Sequence, residues 1–215
     1  GGDAVITRLG TTWQNDGWYG TQGNIHRGIL EIDKVDADTG RAEAQGDGTF
    51  EGITFAVFNA SARSVIYNGA TYAPNERVCT VAVNANGHAE VSGLAYGTYR
   101  VTEISAADSG YLHNTSWSQT VAVHPTTNGQ RFAVAEKCRD SVIRGTMSGM
   151  IVDADWNTGD HQGDGSLAGA VMQIVNASAK SVVVGGREYA PGAVIGTVET
   201  AADGTYSFGD LLYGT

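Results

Sequence analysis

Two ionisable side chains stand among apolar neighbours. In the run Leu30-Glu-Ile32-Asp-Lys34, alternate residues of an extended strand share a face, so Lys34 points with Leu30 and Ile32. Tyr99, Val101 and Glu103 share a face in the same way. A Lys and a Glu turned toward an apolar interior are costly unless paired. Low dielectric favours the neutral form of an amine and of a carboxyl alike. The chemistry such residues could offer, were they to meet, is that of a neutral amine nucleophile and a protonated acid that can polarise a carbonyl. The plainer alternative is an ordinary Lys34–Glu103 ion pair, or a Lys34 head that reaches solvent.

Other reactive types are less organised. His26, His88, His113, His124 and His161 form no pair with metal-ligand spacing, and no Ser-His-Asp or Cys-His arrangement is suggested. No Gly-rich phosphate loop precedes a helix, so neither a metal nor a cofactor is expected. Asp36-Ala-Asp38 and Asp153-Ala-Asp155-Trp-Asn157 echo a calcium loop. Gly159 comes one place late for that loop and its final Glu is missing, which leaves polar turns as the better reading. Cys79 and Cys138 leave two readings open, a disulfide or two buried thiols. Trp13, Trp18, Trp117 and Trp156 read as core-edge residues, with sugar-stacking platforms as the alternative. Asn59, Asn114 and Asn176 head Asn-x-Ser/Thr sequons.

The elements that must position Lys34 and Glu103 are strands. LEIDKV (30–35), ITFAVFN (53–59), RVCTVAV (77–83), TYRVTE (98–103), QTVAVH (119–124) and RFAVAEK (131–137) are rich in Val, Ile, Thr and aromatics. DADTG, QGDG, NANG and TTNG lie between them and carry turn chemistry. SAADSG (105–110) reads as a loop. Composition agrees: 30 Gly, 3 Pro and 17% charged residues in 215 exclude a coiled coil, a collagen and a disordered acidic tail. A net charge of −10 argues against nucleic acid or an anionic membrane as partner. No run approaches the roughly 20 apolar residues of a membrane span. The chain opens without a signal-peptide pattern and closes without a hydrophobic anchor, so both are expected outside this stretch.

The sequence also repeats itself. QGDGTFEG (45–52) returns as QGDGSLAG (162–169), NASARSV (59–65) as NASAKSV (176–182), and LAYGT (94–98) as LLYGT (211–215). Every pair is 117 positions apart, and from Arg27/Arg144 to Thr98/Thr215 there are 29 identities in 72 pairs without a gap. Such a period is too long for a solenoid and suits tandem domains. The expected organisation is a tail of a preceding module over 1–26, a complete module over 27–143, and a second over 144–215 that stops short of its last strands.

Leu30-x-Ile32-x-Lys34, the Gly87 turn, LAYGTYRVTE and the Gly110-Tyr111 pair together resemble the collagen-adhesin B-type (Cna-B), or SpaA-like pilin, domain of Gram-positive surface proteins. The resemblance implies an all-β fold of tandem prealbumin/Ig-like β-sandwiches, the second truncated. It also implies a spontaneous isopeptide bond between Lys34 and a carboxyl-bearing residue of the last strand, promoted by Glu103. The family's Glu box is one residue shorter than Tyr99–Tyr111 here and carries a Pro that this chain lacks. Asp140 is the implied acceptor, because it lies 11 residues before Ile151, the counterpart of Lys34. Glu136, which shares strand parity with Phe132 and Val134, is the alternative acceptor. Ile151 removes the amine, so no such bond is expected in the second copy.

The implied function is a non-enzymatic stalk module of a secreted, wall-attached adhesin or pilin-like protein, with neighbouring modules of its own chain as partners. The alternative is an adhesive module that binds a host surface protein or glycan without the cross-link. An enzyme would need a pocket of convergent titratable groups, which the sequence does not suggest.

Overall fold

The computed structural model of the protein describes residues 5–6, 11–14, 17–20, 25–106 and 108–214. Among them there is no helix, and so none long and apolar enough to cross a membrane. Strands β1 (Val5–Ile6), β2 (Thr11–Gln14) and β3 (Gly17–Gly20) form a small antiparallel sheet. The side chains of Trp13 and Trp18 fall outside the described residues.

The first repeat is a two-sheet sandwich. One sheet runs β11 (Ser118–Val123), β10 (Gly97–Ser105), β5 (Thr54–Asn59), β8 (Arg77–Ala82), all antiparallel. The other is centred on β4 (Gly28–Asp36). On one side β4 pairs antiparallel with β9 (His88–Leu94); on the other it pairs parallel with β12 (Gln130–Ala133) and then β13 (Cys138–Asp140). A hairpin of β6 (Val65–Tyr67) and β7 (Ala70–Tyr72) projects beside them.

Alternation decides which face is inside. Leu30, Ile32 and Lys34 of β4 are fully buried while Ile29, Glu31 and Asp33 are half-buried. On β10, Tyr99 and Val101 are fully buried and Glu103 nearly so. Phe50, Phe55, Val57, Leu94 and Val123 complete the space between the sheets. Each fully buried side chain of this size contributes roughly 1.5–3 kcal/mol.

One strand differs from expectation. Residues 131–137 do not form a continuous strand: β12 ends at Ala133 and pairing with β4 resumes only at Cys138. The chain takes five steps from Ala133 to Cys138 while β4 takes three from Glu31 to Lys34, so two residues are surplus and bulge outward.

The second repeat pairs β14 (Arg144–Met150) with β19 (Thr205–Leu212), β15 (Val171–Val175) with β18 (Val194–Glu199), and β16 (Val182–Val184) with β17 (Arg187–Tyr189). The registers follow those of the first repeat. Gly145 faces Leu211 as Gly28 faces Leu94, Val171 faces Glu199 as Thr54 faces Ala82, and Val182 faces Tyr189 as Val65 faces Tyr72.

Candidate functional site

Lys34, Glu103 and Asp140 meet between the two sheets. Lys34 lies near the end of β4, opposite Cys138 in the parallel register with β13. Asp140, two residues further along β13, leans over the same face. Glu103 comes from β10 in the facing sheet. Lys34 is 0%, Asp140 1% and Glu103 4% exposed, so the group is out of reach of solvent.

The contacts are close. Lys34 Nζ donates to Glu103 Oε2 at 3.1 Å and forms an ion pair with Asp140 Oδ2. The Cys138 thiol donates to Glu103 Oε2 at 3.0 Å and lies 3.6 Å from Asp140 Oδ1. Lys34 Nζ is 3.8 Å from that sulfur and 6.0 Å from the Phe55 ring centroid, which forms an apolar wall. Among the described residues Glu103 Oε1 receives no hydrogen bond, and Asp140 Oδ2 has Lys34 Nζ as its partner.

One cation faces two carboxyls, so with all three ionised the pocket would hold a net negative charge at high cost. Burial pushes the Asp140 carboxyl up to about 6, against the pull of Lys34 and with the repulsion of Glu103 adding to the rise. Burial also raises the Cys138 thiol well above its ordinary range, which keeps it a neutral donor. An amine and a carboxyl held in contact can condense to an amide with loss of water once both are neutral; as ions they cannot. The geometry brings that pair together, with a second acid beside it.

Other expected residues fall elsewhere. Glu136 is exposed, and its backbone carbonyl accepts from Trp117 Nε1 at 3.2 Å; it stands in the bulge, where strand parity no longer predicts direction. That removes it as an acceptor. The disulfide is not formed: both cysteines are free, Cys138 within the Lys34 site and Cys79 on β8 in the facing sheet. Burial pushes the Cys79 thiol up to about 11. The acids and thiol of Glu103, Cys138 and Asp140 are spaced as metal ligands could be, but the Lys34 ammonium contacts all three.

The acidic runs are turns. Asp153 Oδ1 accepts from the backbone of Asp155 and Trp156 and from Gln162 Nε2. Two of the sequon asparagines are internal braces. Asn59 Nδ2 donates to the carbonyls of Arg63 and Tyr72, and Asn176 Nδ2 donates to those of Lys180 and Tyr189. Trp117 packs edge-on against Phe55 with centroids 5.4 Å apart, while Trp156 is exposed.

Cys138 is the participant that sequence reasoning did not place in the site. Its parity with Asp140 on one strand was the available signal. Tyr111 was known only as part of a motif. Its hydroxyl donates to Asp36 Oδ2 at 2.8 Å and accepts from the Gln45 backbone at 2.9 Å, fixing the end of β4 two residues beyond Lys34.

Among solved structures, the Bacillus anthracis TIE protein is similar with a TM-score of 0.51 and 21% identity, over 90% of this chain and 28% of that one. A streptococcal ancillary pilin gives 0.39 and 22%, over 90% of this chain and 53% of the pilin. The full-length major pilin SpaD from Corynebacterium diphtheriae gives 0.37 and 20%, over 63% and 34%. The chain thus corresponds to between about a quarter and about half the length of these proteins. No curated protein matches it. The family model of the SpaA prealbumin-like fold domain matches residues 28–136, which is 109 of 215 residues and takes in β4 through β12 with both Lys34 and Glu103; the chain belongs to that family.

Proposed function

We propose that the protein is a structural module of a bacterial surface stalk or pilus, whose first repeat is locked by an isopeptide bond between Lys34 and Asp140. The observation that carries this is a fully buried amine in direct contact with a buried carboxyl whose pKa is raised to about 6.

In the step proposed, neutral Lys34 Nζ attacks Asp140 Cγ. Glu103 in its protonated form donates to an Asp140 carboxyl oxygen and polarises the carbonyl. The Nζ–Cγ bond forms, the Cγ–OH bond breaks, and the amine proton and the hydroxyl leave as one water with Glu103 relaying the proton. Glu103 ends as it began, and the pocket ends with no charge. The step occurs once per molecule, which separates it from enzymatic turnover.

The bond would close a loop from residue 34 to residue 140, or 107 residues, which loop-entropy arguments value at ~4–5 kcal/mol. It would join β4 to β13, so tension entering at one strand would pass to the other through covalent bonds. The module boundaries that go with this reading are 27–143 for the locked unit and 144–215 for a second unit of the same type, with 1–26 the tail of a preceding one. Ile151 replaces the amine in the second unit. Display outside the cell, alongside other modules of the same chain, is the setting such a lock suits.

Peptide mapping tests the proposal. Trypsin should release residues 28–41, uncut at Lys34, joined to residues 140–144. The branched peptide should vanish in Glu103→Ala. Recovery of a linear peptide ending at Lys34 from the unaltered, folded protein would refute the bond.

A further inference from the structure

The buried site of the first repeat holds a fourth group that the proposed bond leaves without a task. Cys138 is 0% exposed, and its direct partner in the parallel register between β13 and β4 is Lys34. Its thiol donates to Glu103 Oε2 at 3.0 Å, and its sulfur lies 3.6 Å from Asp140 Oδ1 and 3.8 Å from Lys34 Nζ. The amine, the acid and the carboxyl of the cross-linking step thus lie around one sulfur.

The two oxygens of the Asp140 carboxyl have different neighbours. Lys34 Nζ is paired with Oδ2, whereas Oδ1 has the Cys138 thiol beside it. Formation of an amide releases one of these oxygens as water and keeps the other as the amide oxygen. Oδ2, next to the amine that must shed a proton, is placed to leave. Oδ1 then stays, and it carries negative charge while Nζ is already bonded to Cγ and the Cγ–Oδ2 bond is still intact. In a dry site that charge is costly unless a donor meets it.

The thiol can be that donor and cannot be a nucleophile. Burial raises its pKa well above the ordinary thiol range, so no thiolate is at hand to attack Asp140. The S–H group can turn about the Cβ–Sγ bond between its two acceptors. In the resting site it points to Glu103 Oε2. Once Glu103 holds the proton that the step requires, its oxygens accept more weakly, and Oδ1 accepts more strongly as charge grows on it. A hydrogen bond that strengthens toward the transition state is one that lowers the barrier.

We propose that Cys138 is a catalytic residue of the cross-linking step, its S–H donating to Asp140 Oδ1 and stabilising the charge that develops there, as a second donor beside Glu103. The inference rests on the Lys34–Asp140 bond proposed above. It leaves the balance of that step unchanged, since the thiol ends with its own proton.

Refolding tests this, using the whole chain expressed into inclusion bodies and kept in urea until the experiment starts. Tryptophan fluorescence follows folding, because Trp117 packs on Phe55. Intact mass of timed, acid-quenched, reduced samples follows the loss of one water. Cys138→Ala and Cys138→Val, the second keeping the space filled, should fold and then lose water at least about tenfold more slowly than the unaltered chain, a modest effect for such a donor because a thiol is a weak one. Cys138→Ser restores a donor and should recover most of the rate. Ala and Val variants that lose water at the unaltered rate would overturn the role and leave the bond standing. Equal slowing in all three variants, Ser included, would mark packing alone and overturn it too. An unaltered chain that folds and keeps its full mass would defeat the bond, and the role with it.

Discussion

Replacing Lys34 by the isoleucine found at its counterpart, position 151, removes the group that holds the Asp140 carboxyl down. Burial and the repulsion of Glu103 then act unopposed, and both raise it. A carboxyl with a higher pKa folded than unfolded binds its proton more tightly in the folded protein. Its stabilising effect is complete below the unfolded pKa and is lost as pH rises through the folded one. Lys34→Ile should therefore unfold at lower urea at about pH 8 than at about pH 5. A midpoint that climbs over that interval would show Asp140 to be ionised at no cost. At this scale Lys34 and Glu103 were legible, because strand alternation alone put each on an apolar face. Asp140 came from resemblance, and Glu136 could not be dismissed from parity, since parity fails across a bulge that no residue type announces.

Elements hold these residues through a few backbone positions with no freedom. Gly87 has φ +69°, and a Cβ there would sit 2.5 Å from the Lys34 carbonyl oxygen, while its own carbonyl accepts from Lys34 N at 2.7 Å. Gly87→Ala should cost about 2 kcal/mol or more in a urea melt, combining left-handed strain with the clash. A loss well under that would mean the turn can move away from β4. Gly204 stands in the same relation to Ile151. Most strands of the first sheet were readable from their Val, Ile and Thr content. The β6–β7 hairpin was not picked out, although Asn68-Gly69, both at positive φ, is a strong two-residue hairpin signal. β9 was missed for another reason: only Ala89, Val91 and Leu94 of His88–Leu94 are buried, and Gly93 interrupts the pattern. The break between β12 and β13 is a tertiary effect, set by pairing with β4 rather than by local propensity.

For the whole molecule, the repeat was the most readable property, since 117-residue spacing recurs in sequence and then in strand register. Which surfaces mate was not readable, because Asp36, Asp38 and Gln45 look like any polar turn until the second repeat is placed against them. The proposed covalent lock would act at this scale as well. Glu103→Ala, unable to relay the proton, should leave the 34–140 loop open and lower stability by up to ~4–5 kcal/mol. A thermal or urea midpoint equal to that of the unaltered chain would show that the lock adds nothing.

The central claim is that the Lys34 amine and the Asp140 carboxyl become one amide, and the mass of the intact, reduced chain tests it most directly. The account predicts a chain lighter than its sequence by one water, and full sequence mass for Lys34→Ala and Glu103→Ala. An unaltered chain at full sequence mass after folding would contradict it.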